Sequence, residues 1–261
     1  MHDPRTLASW ITAGEAGLFS VVMPARNETE NVSVTIPELV MALDRAGVRH
    51  EIVVINDGST DGTAAALQRL MTRFPSVRMV ENPAPNGFGL AVRRGLLEFR
   101  GDAVVIVMAD GSDRPDDVIA FHKKLREGHD CVFGSRFIPG ATVVDYPPHK
   151  LILNRLANTF IRLLFGLRYN DVTNAFKCYS RPAIAGMQPL MANHFNLTVE
   201  MPLKAIIRGY RYAVVPTAWH NREVGVSKLK IREMGSRYLF IVLYCLLERL
   251  LSRGDYLRRP E

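Results

Sequence analysis

Through the first half of the chain, short apolar runs alternate with longer stretches of helical spacing. Residues 18–23, 50–56, 77–81, 102–108 and 130–135 are compact runs, most of them rich in Val and Ile, and they predict strands. Between them, residues 32–46, 62–74, 87–100 and 115–127 space their apolar positions as a helix does. Strand–helix alternation at this length implies an α/β fold, a mostly parallel sheet with helices on its faces. Ligands of such sheets bind beyond the carboxyl ends of the strands. The loops expected to carry chemistry are therefore 24–28, 57–61, 82–89, 109–115 and 134–140.

The second half is patterned differently. Residues 150–166 predict a helix that gathers Asn154, Arg155, Asn158 and Arg162 on one face, opposite Leu151, Leu153, Leu156, Phe160 and Leu164. A further helix is expected over 195–209 and a late strand over 212–216. The last helix, 230–252, holds an uncharged, mostly apolar run from Tyr238 to Leu247. That run covers roughly 15 Å at about 1.5 Å per residue, half of a bilayer core, so it does not span. It reads either as a helix in the membrane interface, with Lys228, Lys230 and Arg232 near lipid phosphates, or as a buried helix or dimer contact. With no repeat and no long linker, the expected division is an extension over 1–17, one domain over 18–228 and an amphipathic helical tail over 229–261.

Composition narrows this picture modestly. Of the 261 residues, 48% are hydrophobic and 23% charged, which describes a globular protein rather than a disordered one. Cys131, Cys178 and Cys245 lack metal-ligand spacing and suggest packing roles in a reducing compartment. The first residues lack a basic stretch followed by an apolar one, so no secretory signal is expected. Between Glu200 and Glu261 stand 12 Lys and Arg against 6 Asp and Glu, which is +6 of the net charge of +7. Such a basic quarter suits an anionic surface or a phosphorylated substrate, or is simply a solvated face. Nucleic acid is not an expected partner, because only the pI of 9.5 favours it and no recognition motif accompanies the charge.

Three loops carry candidate chemistry. Asp57-Gly-Ser-Thr-Asp61 follows a strand, and its small residues let the backbone turn while its carboxylates accept hydrogen bonds from a ribose or base. Asn86-Gly87-Phe-Gly89 opens a helix where a phosphate could approach unpaired amides, or where the glycines merely ease the turn. Asp110-Gly-Ser-Asp113 places two carboxylates after an apolar strand, able to share a hard divalent cation with a diphosphate; Asp113 equally suits a helix cap ahead of Pro115.

Taken together, Val21-Val-Met-Pro-Ala-Arg-Asn-Glu28, Asn56-Asp-Gly-Ser-Thr-Asp-Gly-Thr63, the acidic loop at Asp110 and Gly134-Ser-Arg136 resemble the inverting family-two glycosyltransferases. Asp171-Val-Thr-Asn-Ala-Phe-Lys177, Phe195-Asn-Leu-Thr-Val-Glu-Met201 and Arg222-Glu-Val-Gly-Val-Ser-Lys228 look like the dolichol-phosphate mannosyltransferase branch. The resemblance covers roughly residues 19–228 and implies a GT-A fold, a Rossmann-like sheet flanked by helices. It implies that Pro24, Ala25, Asn27, Glu28 and Asp57, with Gly87, border the nucleotide, and that Asp110 and Asp113 hold Mg²⁺ or Mn²⁺. It further implies that Arg136, Arg222, Ser227 and Lys228, with Lys150, face an acceptor phosphate. The family's Asp-x-Asp is displaced here: with Arg114-Pro115 aligned to its His-Pro, the loop reads Ala109, Asp110, Gly111, and an atypical metal site is expected.

The expected reaction is transfer of one sugar, mannose favoured with GDP-mannose as donor, to a polyprenyl or dolichyl phosphate, with Asp110 and Arg136 as catalytic residues. The expected location is the cytoplasmic face of a membrane, held peripherally, with a homodimer or a membrane partner subunit as candidate company. The alternatives are transfer to a saccharide or lipid hydroxyl, with Glu200 as general base, and a catalytically silent membrane-associated scaffold.

Overall fold

The computed structural model describes residues 14–220 and 231–258. The expected strands form at the expected places: β1 (Glu15–Ala25), β2 (His50–Asn56), β3 (Val77–Glu81), β4 (Gly101–Ile106) and β5 (Cys131–Ser135). The helices between them are α1 (Thr29–Arg45), α2 (Thr63–Arg73), α3 (Phe88–Glu98) and α4 (Pro115–Arg126). Beyond β5 come β6 (Thr142–Val144), α5 (Pro148–Phe165), β7 (Lys177–Ser180), α6 (Arg181–Gly186), α7 (Leu197–Ile207), β8 (Tyr212–Pro216), β9 (Ala218–His220) and α8 (Ile231–Leu251).

Seven strands make one sheet in the order β3-β2-β1-β4-β7-β5-β8, with β6 and β9 paired in a small second sheet. Only β7 runs antiparallel to its neighbours β4 and β5. Successive strands leave β1 in opposite directions, to β2 on one side and β4 on the other, so the carboxyl ends of β1, β2 and β4 bound a topological switch point.

Period-two alternation fills both faces of this sheet. Val22, Val53, Ile55, Val104 and Ile106 point to one core, shared with α3, α6, α7 and α8. Val21, Met23, Ile52, Val54 and Val105 point to the other, shared with α1, α2 and α4. A helix lies close on the first face because α3 presents Gly95 there: a β-carbon would come within 2.3 Å of Val22 Cγ1.

The last helix is tied into the domain more closely than a tail would be. Its Ile241, Val242 and Cys245 are buried in the first core. The Arg208 guanidinium, itself buried, donates to both oxygens of Glu248 at 2.7 and 2.9 Å. The opposite face of α8 is leucine-rich as well, with Leu239, Leu243, Leu247 and Leu250 exposed. Among the described residues, no helix is long and apolar enough to cross a membrane.

Candidate active site

The loops after β1 and β2 are laced to each other by short-range polar bonds. Asn27 takes a left-handed backbone (φ 54°), which lets its amide donate to Ser59 Oγ at 3.0 Å while its side-chain oxygen accepts from the Thr60 amide at 2.8 Å. The Glu28 amide donates to Thr63 Oγ1, and its carboxylate accepts from Asn31 at 2.6 Å. Pro24 and Ala25 are the buried last residues of β1, in register with Ile55 and Asn56. Asp61 accepts from the hydroxyls of Thr29 and Thr63. Burial pushes its pKa up, but these bonds outweigh that and hold it at about 2.

Asp57, at the tip of β2, is buried and acts as an acceptor for the third loop. Asn82 donates to it at 2.6 Å, Asn86 at 3.2 Å and the Gly87 amide at 3.0 Å. The N-terminus of α3 is thereby turned onto the carboxylate of Asp57. The space that Gly87 and Gly89 leave open is filled by residues 193–194. A β-carbon on Gly87 would come within 3.0 Å of the Asn193 carbonyl, and one on Gly89 within 2.6 Å of the His194 amide. These glycines let two loops pack, and Gly87 meets the Asp57 loop through its amide.

The acidic loop stands at the carboxyl end of β4. Thr35 of α1 donates to the Ala109 carbonyl, and Gly111 turns the chain with φ 73°. Asp110 is half-buried and accepts from the Ser112 amide. Asp113 is buried and accepts from the Met108 amide at 2.8 Å, so its side chain folds back to the start of its own loop and does not cap α4. Burial raises its pKa to about 7, with the negative charges of Asp110 and Asp117 adding to the effect while the Met108 amide and Arg136 oppose it. Two neighbouring carboxylates, one of them buried, fit a hard divalent cation. Among the described residues no group of three or more His, Cys, Asp or Glu could hold a metal, so any cation here rests on this pair with oxygens from elsewhere.

Arg136, just past β5, is engaged within the protein. It makes a two-pronged pair with Asp171, Nε at 2.9 Å and Nη2 at 2.7 Å, and its amide adds a third bond at 2.9 Å. Burial alone would lower the guanidinium's pKa; the Asp171 carboxylate reverses that and drives it above its ordinary value. The guanidinium also lies over the rings of Phe137 and Tyr146. Beside it opens a cleft of about 480 Å³ lined by Phe137, Val143, Asp145, Tyr146, Leu151 and Arg155. Arg155 covers the Phe137 ring at 4.5 Å. Lys150 is half-buried on the first turn of α5, next to this cleft's Leu151. Arg222, Ser227 and Lys228 lie outside the described residues. Glu200, weighed as a base, is sealed: its oxygens accept from the Met191 and Ala192 amides at 2.7 Å and pair with Lys204 at 2.8 Å, both side chains fully buried.

Sequence reading named neither Asp171 as the partner of Arg136 nor the cleft. Asp171 stood inside a quoted motif without a role, and a pairing across 35 residues leaves no mark in local spacing. Arg155 was visible only as one of four polar residues on a helix face.

The fold is of the GT-A type. The glycosyl transferase family 2 profile matches residues 20–186, and the chain belongs to that family. It is 32% identical over 216 residues to a polyprenol monophosphomannose synthase from Mycolicibacterium smegmatis, covering 80% of each chain. It is 26% identical over 213 residues to an undecaprenyl-phosphate mannosyltransferase from Micrococcus luteus, covering 80% of this chain and 86% of that one. Among solved structures, glucosyl-3-phosphoglycerate synthase from Mycobacterium tuberculosis in complex with uridine diphosphate matches with a TM-score of 0.65 and 20% identity, over 95% of this chain and 84% of that one. The same synthase with Mn²⁺, uridine diphosphate and phosphoglyceric acid matches with a TM-score of 0.63 over 95% and 83%. At that identity the likeness speaks for the fold alone.

Proposed function

We propose that this glycosyltransferase moves a single sugar, mannose from GDP-mannose in first place, onto a polyprenyl phosphate with inversion at the anomeric carbon. The observation that carries the reading is the acidic pair Asp110 and Asp113 at the switch point, in a chain whose relatives are named for polyprenyl-phosphate mannose transfer. The nucleotide is read into the loops after β1 and β2, bordered by Pro24, Ala25, Asn27, Glu28 and Asp57. Their mutual bonds fix the shape of the pocket before any ligand arrives, which lowers the ordering cost of binding.

In the reaction, the bond between the anomeric carbon and the nucleotide's phosphate oxygen breaks as an acceptor phosphate oxygen forms its own bond to that carbon. The nucleotide diphosphate departs with the bonding pair. Asp110 and Asp113 would hold a Mg²⁺ or Mn²⁺ ion, which when bound supplies Lewis-acid neutralisation of the leaving diphosphate. An acceptor phosphate is already ionised near neutral pH, so no side chain has to remove its proton. The sealing of Glu200 supports this choice over a hydroxyl acceptor, since its carboxylate cannot reach a substrate. Arg136, oriented by Asp171, stands beside the cleft, and Lys150 precedes the cleft's Leu151; Arg222, Ser227 and Lys228 complete the proposed acceptor set. The work of these groups is to hold two anions in reactive alignment. A peripheral position on the cytoplasmic face of a membrane follows from such an acceptor.

The test is a donor panel with short-chain polyprenyl phosphate and Mg²⁺ or Mn²⁺, scored for labelled lipid product. Mannosyl lipid from GDP-mannose is expected; product only with a hydroxyl acceptor would overturn the reading.

A further inference from the structure

Because β7 runs against its neighbours, its first residue stands where theirs end. Lys177 is in register with Ile106 of β4 and with Phe133 of β5. Beyond Ile106 the chain enters the acidic loop with Asp110 and Asp113, and beyond Phe133 it reaches Ser135 and Arg136. One lysine therefore lies between the two charged parts of the site, and no step of the proposed transfer touches it.

A lysine in the middle of a sheet is costly. Lys177 is 1% exposed, and a buried ammonium is unfavourable unless its protons find acceptors. All three acceptors are backbone carbonyls: Val172 at 3.0 Å, Asn174, and Thr198 at 3.1 Å. The first two belong to one tight turn, which the Asn174 amide closes by donating to the Asp171 carbonyl at 3.1 Å. The third lies in the first turn of α7, where Pro202, four residues on, has no amide to give it. The ammonium thus ties the 171–174 turn to α7.

The turn has other ties. Asn154 and Asn158 of α5 donate to the Thr173 hydroxyl, both at 2.9 Å, and Asn174 donates to the Gly134 carbonyl at 3.0 Å. Those bonds join neutral groups, whereas bonds from an ammonium are charge-assisted and roughly twice as strong. On its other side the turn carries Asp171, which grips Arg136 through Nε and Nη2. Electrostatics agree with this placement. Burial lowers the pKa of Lys177 to about 7, with Asp171 and Asp113 opposing the shift and Arg136 adding to it.

We propose that Lys177 is a positioning residue: its ammonium fixes the 171–174 turn against α7 and, through Asp171, sets the orientation of Arg136. Its consequence for the acceptor phosphate rests on the polyprenyl-phosphate reading; the link from Lys177 to Arg136 stands on the bonds themselves.

The experiment compares full-length Lys177→Gln, Lys177→Met and Lys177→Arg with the wild type in two measurements, each made well below the variant's own melting temperature. The first follows the Arg136 Nε–H resonance without substrates, assigned by its loss in Arg136→Lys. Held by Asp171, that proton should exchange slowly in the wild type. In Lys177→Gln and Lys177→Met it should exchange about tenfold faster or more, while the amides of β1 and β2 keep their protection. The second measures transfer to a short-chain polyprenyl phosphate, beside GDP binding by calorimetry. In the same two variants kcat/KM for the acceptor should fall by about tenfold or more, with GDP affinity within about twofold of the wild type. Lys177→Arg, which keeps the charge and the donors, should stand closer to the wild type in both readings. If Lys177→Met does not fold, Lys177→Gln decides.

Fast exchange of the Arg136 proton with an unchanged acceptor kcat/KM would keep Lys177 as the residue that positions Arg136 and would remove Arg136 from the acceptor site. Slow exchange in every folded variant would overturn the proposal. So would GDP affinity and acceptor kcat/KM falling by the same factor, since Lys177 would then hold up the whole fold and not one guanidinium.

Discussion

Around the strand-end loops of the N-terminal half, carboxylates are held by neutral donors; past β5, three are held by cations. Asp57 is met by two asparagines and an amide, Asp61 by two threonines, and Asp113 by an amide. Beyond β5, Asp171 is met by Arg136, Glu200 by Lys204 and Glu248 by Arg208. Neutral donors fix a carboxylate in place without bringing a countercharge, and burial raises the pKa of Asp113 there to about 7. Ion pairs cancel charge and lock elements together. The first half is thus a set of loops fixed by neutral donors, and the second a frame that fixes one cationic group and presents an apolar face.

The largest expected effect follows from the acidic pair Asp110 and Asp113. Asp113→Asn, and likewise Asp110→Asn, should lower sugar transfer by roughly 10²–10³-fold while leaving the melting transition close to that of the wild type. The same variants should weaken Mn²⁺ binding measured by calorimetry without donor or acceptor, which separates a lost cation from a lost catalytic contact. Undiminished transfer in either would remove that residue from the site.

Next comes the frame. Asp171→Ala strands a buried guanidinium and should cost about 3–5 kcal/mol in urea unfolding. Asp57→Ala strands only neutral donors, some of which can turn to water, and should cost about 1–3 kcal/mol. The comparison fails if the two variants are equally destabilised, because the kind of partner would then not matter.

How far the sequence could anticipate this depends on which link is asked for. The Val and Ile runs of β1, β2 and β4 announced the sheet, and the loops that follow them were legible because a parallel sheet gathers its carboxyl ends. Lys177–Ser180 was missed as a strand: four residues with a lysine and a serine carry no period, yet pairing on both sides makes β7 central. Spacing grouped Asn154 with Asn158 on α5, but it put Arg155 and Arg162 on the same face, and these are exposed while Asn158 is buried. It could not say which face turns inward, because that is decided by Thr173, which accepts the asparagines. The resemblance placed Arg136 near the acceptor. The Asp171 bond, which fixes its orientation, depends on two loops meeting in space. Asp110 and Asp113 stood out as a pair, but the fold of Asp113 back onto the Met108 amide is a property of the loop's turn at Gly111.

The smallest effect tests the neutral-donor side by pH. Asp61 has its pKa lowered to about 2 from 3.8: burial acts to raise it, while the bonds from Thr63 and Thr29 prevail. The folded state therefore binds this proton less readily than the unfolded chain. The group's contribution is fully present above its unfolded value and is lost as pH falls through about 2. Asp61→Asn removes that contribution at neutral pH. The gap in unfolding midpoint between wild type and variant should be level from about pH 7 to 5, then narrow as the pH drops below about 4. Because Asp61 is exposed, the gap is small at every pH and is best read as a difference between paired curves. A gap that stays level to about pH 3, or widens, would mean the threonine hydroxyls do not favour the ionised carboxylate, and that neutral donors in these loops hold shape without holding charge.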